Sequence, residues 1–160
     1  MLIVTVIAAL LTLVLLAGAY GVFFAYSNSV MPGLDQVAAE KAVDAMRRIN
    51  IVIVNPVFLA SFIGPVITGA ATGFLLLGLG ENTSAYLFFA AAVVYLIGGI
   101  IISGRLNIPL NNALENSAST DWDTRWADFS PKWQRWNTVR AFLSMVALVL
   151  CGVGLYLWGN

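Results

Sequence analysis

The run LIVTVIAALLTLVLLAGAYGVFFAY, Leu2 to Tyr26, contains no charged side chain, and none occurs before Asp35. About 20 mainly apolar residues in a helix cross the hydrocarbon layer of a bilayer, so this run is long enough to span one. A secretory leader is the competing reading, with Ala17-Gly18-Ala19 as its cleavage site. Leaders, however, carry a basic n-region and an apolar stretch of only about 7–15 residues. Here no Lys or Arg precedes the run, and it is longer. It reads as a retained membrane span.

Three further runs follow outward from it: residues 51–79, 85–103 and 139–158. They are continuously apolar rather than alternating, which excludes the strands of a membrane barrel. Lipid offers no partner to backbone polar groups, so the runs must be helices. The whole chain agrees. It is 60% hydrophobic and 10% charged over 160 residues, with a mean hydropathy of +0.87; soluble domains are typically about 25% charged. The predicted fold is an all-α integral membrane four-helix bundle, residues 1–160 forming one domain, with amphipathic, interfacial helices in two long connections. Small residues at four-residue spacing (Ala17, Gly21 and Ala25; Gly69 and Gly73) suit close helix packing.

Composition also removes whole classes of chemistry. The chain has no His, its only cysteine is Cys151, and no acid lies within the four runs. Disulfide frameworks, iron–sulfur and His-haem ligation, zinc sites and Ser-His-Asp or Cys-His nucleophiles are therefore excluded. No metal and no cofactor is expected. Formal net charge is zero, which argues against nucleic acid as a partner; the expected partner is the lipid bilayer.

Only Gly80-Glu81-Asn82-Thr83-Ser84 separates spans two and three, making them antiparallel neighbours. The first connection carries Lys41, Arg47 and Arg48, and the last carries Arg105, Arg125, Lys132 and Arg135. The short turn and both ends carry no Lys or Arg. By the positive-inside rule the long connections are cytoplasmic and both termini lie outside, in a multi-pass protein of the cell membrane.

Within the first connection, Pro32-Gly33 breaks the chain, Asp35 is placed to cap a helix over 34–50, and Asp44 can pair with Arg47 or Arg48. Asn55-Pro56 and Gly64-Pro65 predict two bends in span two. These are either tolerated kinks or a device that frees carbonyls and turns Asn55 inward. In the last connection Thr120-Asp121-Trp122-Asp123 resembles a helix start. Trp122, Trp126 and Phe129 form a stripe that suits a helix lying flat on lipid. Ser130-Pro131 then looks like the start of the next helix. Trp122, Trp126, Trp133 and Trp136 so fall on one side of the bilayer, as an interfacial belt or as the rim of a pocket. The halves echo one another: a proline after a span (Pro32, Pro109), then Arg48-Ile49-Asn50 or Arg135-Trp136-Asn137 before the next.

Topology gathers Arg48, Asn50, Asn55, Arg105, Asn107, Asn111, Asn137 and Arg140 near one face of the membrane. Arg140 lies about a turn inside its span and can snorkel outward. An asparagine has no long stem with which to escape, and burying an amide without partners costs roughly 1–3 kcal/mol. The set is either a polar clasp between helices or a ligand site. Without acids or imidazoles, it can hold an enolate or phenolate of a greasy substrate by hydrogen bonds and positive charge.

Four stretches carry a resemblance: Ser29-Val30-Met31-Pro32-Gly33-Leu34, Met46 through Pro56, Asn107 through Leu114, and Trp133, Trp136, Asn137 with Arg140. By these the chain resembles the anthrone-oxygenase-like family of small four-helix membrane proteins, most members of which have no assigned function. The resemblance implies oxidation of an anthrone to an anthraquinone by molecular oxygen, without a bound cofactor. It implies Arg48, Arg105 and Arg140 as catalytic residues that stabilise the oxyanion. Asn50, Asn55, Asn107, Asn111 and Asn137 would orient the substrate, a hydrophobic aromatic molecule, and Trp136 would stack on its rings. The nearest acids, Asp35, Asp44 and Glu115, lie outside the spans. The alternative is a non-catalytic lipophile-binding or accessory membrane protein. Transport ranks last, since four spans are few for an alternating-access carrier and no intramembrane acid offers a proton relay.

Overall fold

The computed structural model describes residues 1–117 and 121–159. Helix α1 covers Leu2–Ala25, passes through a π-helical turn at Tyr26–Val30, and ends in the short α2, Met31–Leu34. Helix α3 (Ala39–Val52) leads through an elbow at 53–55 into α4 (Pro56–Leu77). Helix α5 (Asn82–Tyr95) continues through π turns at Leu96–Ile101 and Ser103–Asn107 into α6 (Ile108–Asn116), and α7 runs from Trp122 to Trp158. Four helical stretches are long and apolar enough to cross a membrane: Leu2–Leu34, Pro56–Leu77, Asn82–Asn116 and Trp122–Trp158.

Each span packs against the next, and α1 closes the ring against α7. The turn after α4 needs Gly80, whose φ of +84° is left-handed. The inner faces are lined by Ala9, Leu16, Ala19, Leu76, Phe88, Ala91, Tyr95 and Ala147, all at most 1% exposed. The outer faces expose Ile3, Ile7, Val14, Ile67, Phe74, Val93, Phe142 and Val149. Such a surface is stable in lipid and not in water. Between helices in lipid the drive is close packing, not escape from water. Gly98 shows this, since a Cβ there would stand 2.4 Å from that of Leu143 on α7.

The two longest stretches, of 35 and 37 residues, extend to about 52 and 55 Å at about 1.5 Å per residue. Both overshoot the roughly 30 Å hydrocarbon layer. At the end where they overshoot lies a second core: Met31, Ala42, Val43, Met46, Leu114, Trp126, Phe129 and Trp133. The molecule is therefore a membrane bundle with a cap, and α3 and α6 complete the cap around α7.

Several local expectations change. Helix α7 does not restart at Ser130-Pro131 but runs through Pro131 without interruption. Its start is the earlier signal, Asp121, whose carboxylate accepts the Thr124 backbone N–H at 3.1 Å. Trp126 and Phe129 do not lie flat on lipid but fill the cap core at 8% and 4% exposure. Thr120 lies outside the described residues. Asp35 does not cap α3. Its carboxylate accepts from Trp126 Nε1 (2.8 Å), Ser130 Oγ (2.7 Å) and Gln134 Nε2 (2.7 Å), fastening the end of α2 to α7. Arg47 pairs not with Asp44 but with Glu115, at 2.9 Å, joining α3 to α6.

The prolines behave differently from a simple break. Pro32 and Pro109 each follow a π turn, Tyr26–Val30 and Ser103–Asn107 respectively, and the helix continues past both. The wider turn changes which carbonyl faces the proline ring, easing the clash that ends an ordinary α-helix. The echo between halves thus has a structural form. Pro65 sits inside α4, where it cannot bond the Ser61 carbonyl. Tyr95 Oη donates there instead, to the Phe62 and Ser61 carbonyls at 3.0 and 3.5 Å. Asn55 caps α4, accepting from the Phe58 N–H at 3.0 Å.

Candidate functional site

A cavity of about 290 Å³ lies where the bundle meets the cap. The last turns of α1, the start of α4, the third span near Ser103 and the middle of α7 all reach it. That convergence makes the spans run up and down in turn, with both described ends of the chain and the Gly80 turn at the far end. The walls are Val22, Phe23, Tyr26, Phe58, Phe62 and Trp133. Buried Ser103, Asn137 and Arg140 form a polar floor, while exposed Val54, Leu59, Ile108 and Asn112 mark the mouth.

Arg140 is 7% exposed. Its Nη1 donates to Ser103 Oγ at 2.8 Å and its Nη2 to Asn137 Oδ1 at 2.6 Å, while Nε is buried without a partner. The Ser103 hydroxyl donates its own hydrogen bond to the Gly99 carbonyl. The guanidinium carbon stands 4.4 Å from the Phe23 ring centre and 5.3 Å from that of Trp133. Among the described residues no carboxylate lies within ion-pair distance of it. A guanidinium stays protonated, so the site holds a buried positive charge supported only by neutral oxygens and two ring faces. Snorkelling does not occur.

Asn137 is fully committed. Its Nδ2 donates to the Phe23 carbonyl and to Ser27 Oγ, both at 2.7 Å, and its Oδ1 accepts from Arg140. An amide has two donor hydrogens, and both are used to tie α7 to α1 beside the first π turn. Asn107 is buried and donates to the Trp133 carbonyl at 3.2 Å, leaving its Oδ1 unpartnered. Asn111 lies in the cavity wall and accepts from Trp133 Nε1 at 2.8 Å.

Of the residues expected at a site, Asn50, Asn111, Asn137 and Arg140 line this cavity and Asn107 braces its Trp133 wall. Arg48 is exposed and lies with Asn55 along a separate shallow groove at the α3–α4 elbow. Arg105 is also exposed, and neither it nor Trp136 lines the cavity. Trp136 is half-buried, with Arg135 5.7 Å from its ring centre. The indole at the cavity belongs to Trp133, one turn earlier. The spacing of Trp133, Asn137 and Arg140, at i, i+4 and i+7, is a helical-face pattern that points to it. Phe23 and Tyr26 carry no such signal, because they come from the end of an uncharged apolar run, and Ser27 follows directly on it. The described residues bring together no group of three or more Cys, Asp or Glu able to hold a metal ion.

The fold and this cavity define a class: a four-span membrane bundle with an aromatic-walled, cation-floored pocket at one end. The family model for anthrone oxygenase matches residues 57–150. The chain belongs to the anthrone oxygenase family. The matched range contains Ser103, Asn107, Asn111, Trp133, Asn137 and Arg140, whereas Phe23, Tyr26 and Asn50 precede it. No curated protein and no solved structure gives a significant match.

Proposed function

We propose that this protein oxygenates a lipophilic polycyclic aromatic of the anthrone type, without a bound cofactor, in the cavity floored by Arg140. The observation that carries the reading is the buried Arg140 guanidinium, which has no carboxylate partner among the described residues and borders an apolar, aromatic space. An uncompensated buried cation favours an anionic guest. An anthrone becomes one by losing a proton from its methylene carbon, and Arg140 stabilises the resulting enolate oxygen. The proton goes to water at the mouth, since no carboxylate or imidazole lines the cavity. The enolate carbon then gives its electrons to molecular oxygen and forms a carbon–oxygen bond. Loss of water leaves the quinone, so anthrone and oxygen become anthraquinone and water. Arg48 and Arg105 stand outside this scheme; the charge is supplied by Arg140 alone. The basic residues of the cap, Lys41, Arg47, Arg48 and Lys132 among them, support a cytoplasmic orientation of this end under the positive-inside rule, with both ends of the chain on the other side.

The second reading is a non-catalytic lipophile-binding or accessory protein, favoured by the closed hydrogen bonding of Asn137. One experiment separates the two. Purified protein in detergent receives anthrone under oxygen, and anthraquinone absorbance and oxygen uptake are followed. Faster conversion than the spontaneous rate, lost in Arg140→Gln that still binds anthraquinone, supports the enzyme. Equal rates with and without protein leave the binding reading.

A further inference from the structure

Trp133 is held at both ends by asparagines of the third helical stretch. Asn107 Nδ2 bonds its carbonyl at 3.2 Å, and Asn111 Oδ1 accepts its indole N–H at 2.8 Å. The second bond fixes more than the ring. An indole nitrogen can only donate, so it compels Asn111 to turn its amide oxygen toward Trp133. The Asn111 amide nitrogen then makes no hydrogen bond among the described residues, on a residue that lines the cavity. Asn137, by contrast, has no donor left to offer. The cavity therefore carries two distinct donors beside one indole: the Arg140 guanidinium, 5.3 Å from the ring centre, and the Asn111 amide at the ring's nitrogen edge.

We propose that Trp133 and Asn111 act together as the specificity element of this cavity. Trp133 is the flat wall on which a planar guest lies and Asn111 is a fixed donor to a second oxygen on that guest. The site thus binds planar aromatics with two oxygen acceptors, the quinone product or an anthrone that bears a second oxygen, more tightly than those with one, plain anthrone included. This rests on the reading of the cavity as a site for polycyclic aromatics, and it adds what decides among them. A guest lying along the indole meets both donors, and a hydrogen bond offered by a fixed group discriminates more sharply than added apolar contact.

The test uses equilibrium binding to the purified full chain in detergent, read by quenching of tryptophan fluorescence. Its two probes are 9,10-anthraquinone, with two carbonyls, and 9-fluorenone, a flat tricycle with one. Native protein is expected to prefer anthraquinone by about tenfold, the equivalent of one hydrogen bond. Asn111→Asp still accepts from Trp133 but has no N–H to give, so the ratio of the two affinities falls to near unity. Trp133→Phe keeps a flat wall yet releases the amide, so the preference shrinks although binding persists. Equal affinities for the two probes in native protein overturn the inference, as does a preference unchanged in Asn111→Asp or no binding of anthraquinone at all. Because nothing turns over, a selective site without anthrone oxidation would sink the oxygenase reading and leave this one standing.

Discussion

The two cores of this molecule are built from different materials. Half of the bundle core is alanine (Ala9, Ala19, Ala85, Ala91, Ala141 and Ala147), set among Leu16, Leu76, Cys151 and the rings of Phe23, Phe88 and Tyr95, with Thr12 facing Thr72 at 3.4 Å. The cap core has a single alanine, Ala42, among Met31, Val43, Met46, Leu114, Trp126, Phe129 and Trp133, with indole hydrogen bonds to Asp35 and Asn111 at its edge. The contrast follows from the solvent on each side. In lipid, burying a large side chain gains little over leaving it outside, so small residues that let backbones approach are favoured. Beyond the hydrocarbon layer, burial again removes apolar surface from water, and bulky aromatics contribute most. Arg140, Asn137 and Ser103 lie where the two regimes meet, and that is where the cavity opens.

The contrast can be tested by breaking each side. The largest effect is expected for Trp133→Ala, which removes a wall shared by cap and cavity. It should destabilise by about 3–5 kcal/mol, read as thermal unfolding in detergent, and should abolish anthraquinone binding. Asn137→Leu should follow at about 2–3 kcal/mol, because it strands the Arg140 guanidinium and the Phe23 carbonyl. A milder loss there, matching an exposed substitution, would show that the layer between the cores is not a clasp. Gly98→Ala forces apart α7 and the third stretch at Leu143 and should cost about 1–3 kcal/mol, with no change in the intrinsic fluorescence of the cap. Glu115→Gln breaks the exposed pair with Arg47 and should give the smallest change, one that vanishes when salt is raised.

Acidity should act on the cap before the bundle. Hydrogen bonds from Thr124 hold the Asp121 carboxyl below its ordinary value. A group whose folded pKa is lowered adds stability above its unfolded value, near 4, and loses it as pH falls through the folded one. Unfolding of the native protein should therefore sharpen its pH dependence below about pH 4, and Asp121→Asn should flatten that part of the profile.

Much of the bundle was legible from sequence, because continuous apolar runs of spanning length have few other solutions. The gathering of Asn50, Asn111, Asn137 and Arg140 was legible too, since topology alone brings the ends of the spans together. The cap was not. Ser130-Pro131 has the chemistry of a helix start, yet the Asp35 carboxylate takes the Ser130 hydroxyl and α7 continues. The Trp122, Trp126 and Phe129 stripe fits a lipid surface as well as it fits a protein core, and only the partners Met31, Val43 and Met46 decide between them. Trp136 and Trp133 are alike in sequence; which of them faces the cavity depends on the rotation of α7, set by the Asn137 bonds to α1.

The position of the mouth has a practical consequence. Val54, Leu59 and Ile108 are exposed at its rim, as is the polar Asn112. On the proposed function, a guest that dissolves in the membrane reaches this rim by sliding in two dimensions, and occupancy follows its mole fraction in the lipid phase. Diluting the vesicles in buffer should leave turnover per protein almost unchanged, whereas adding empty lipid at constant volume should slow it.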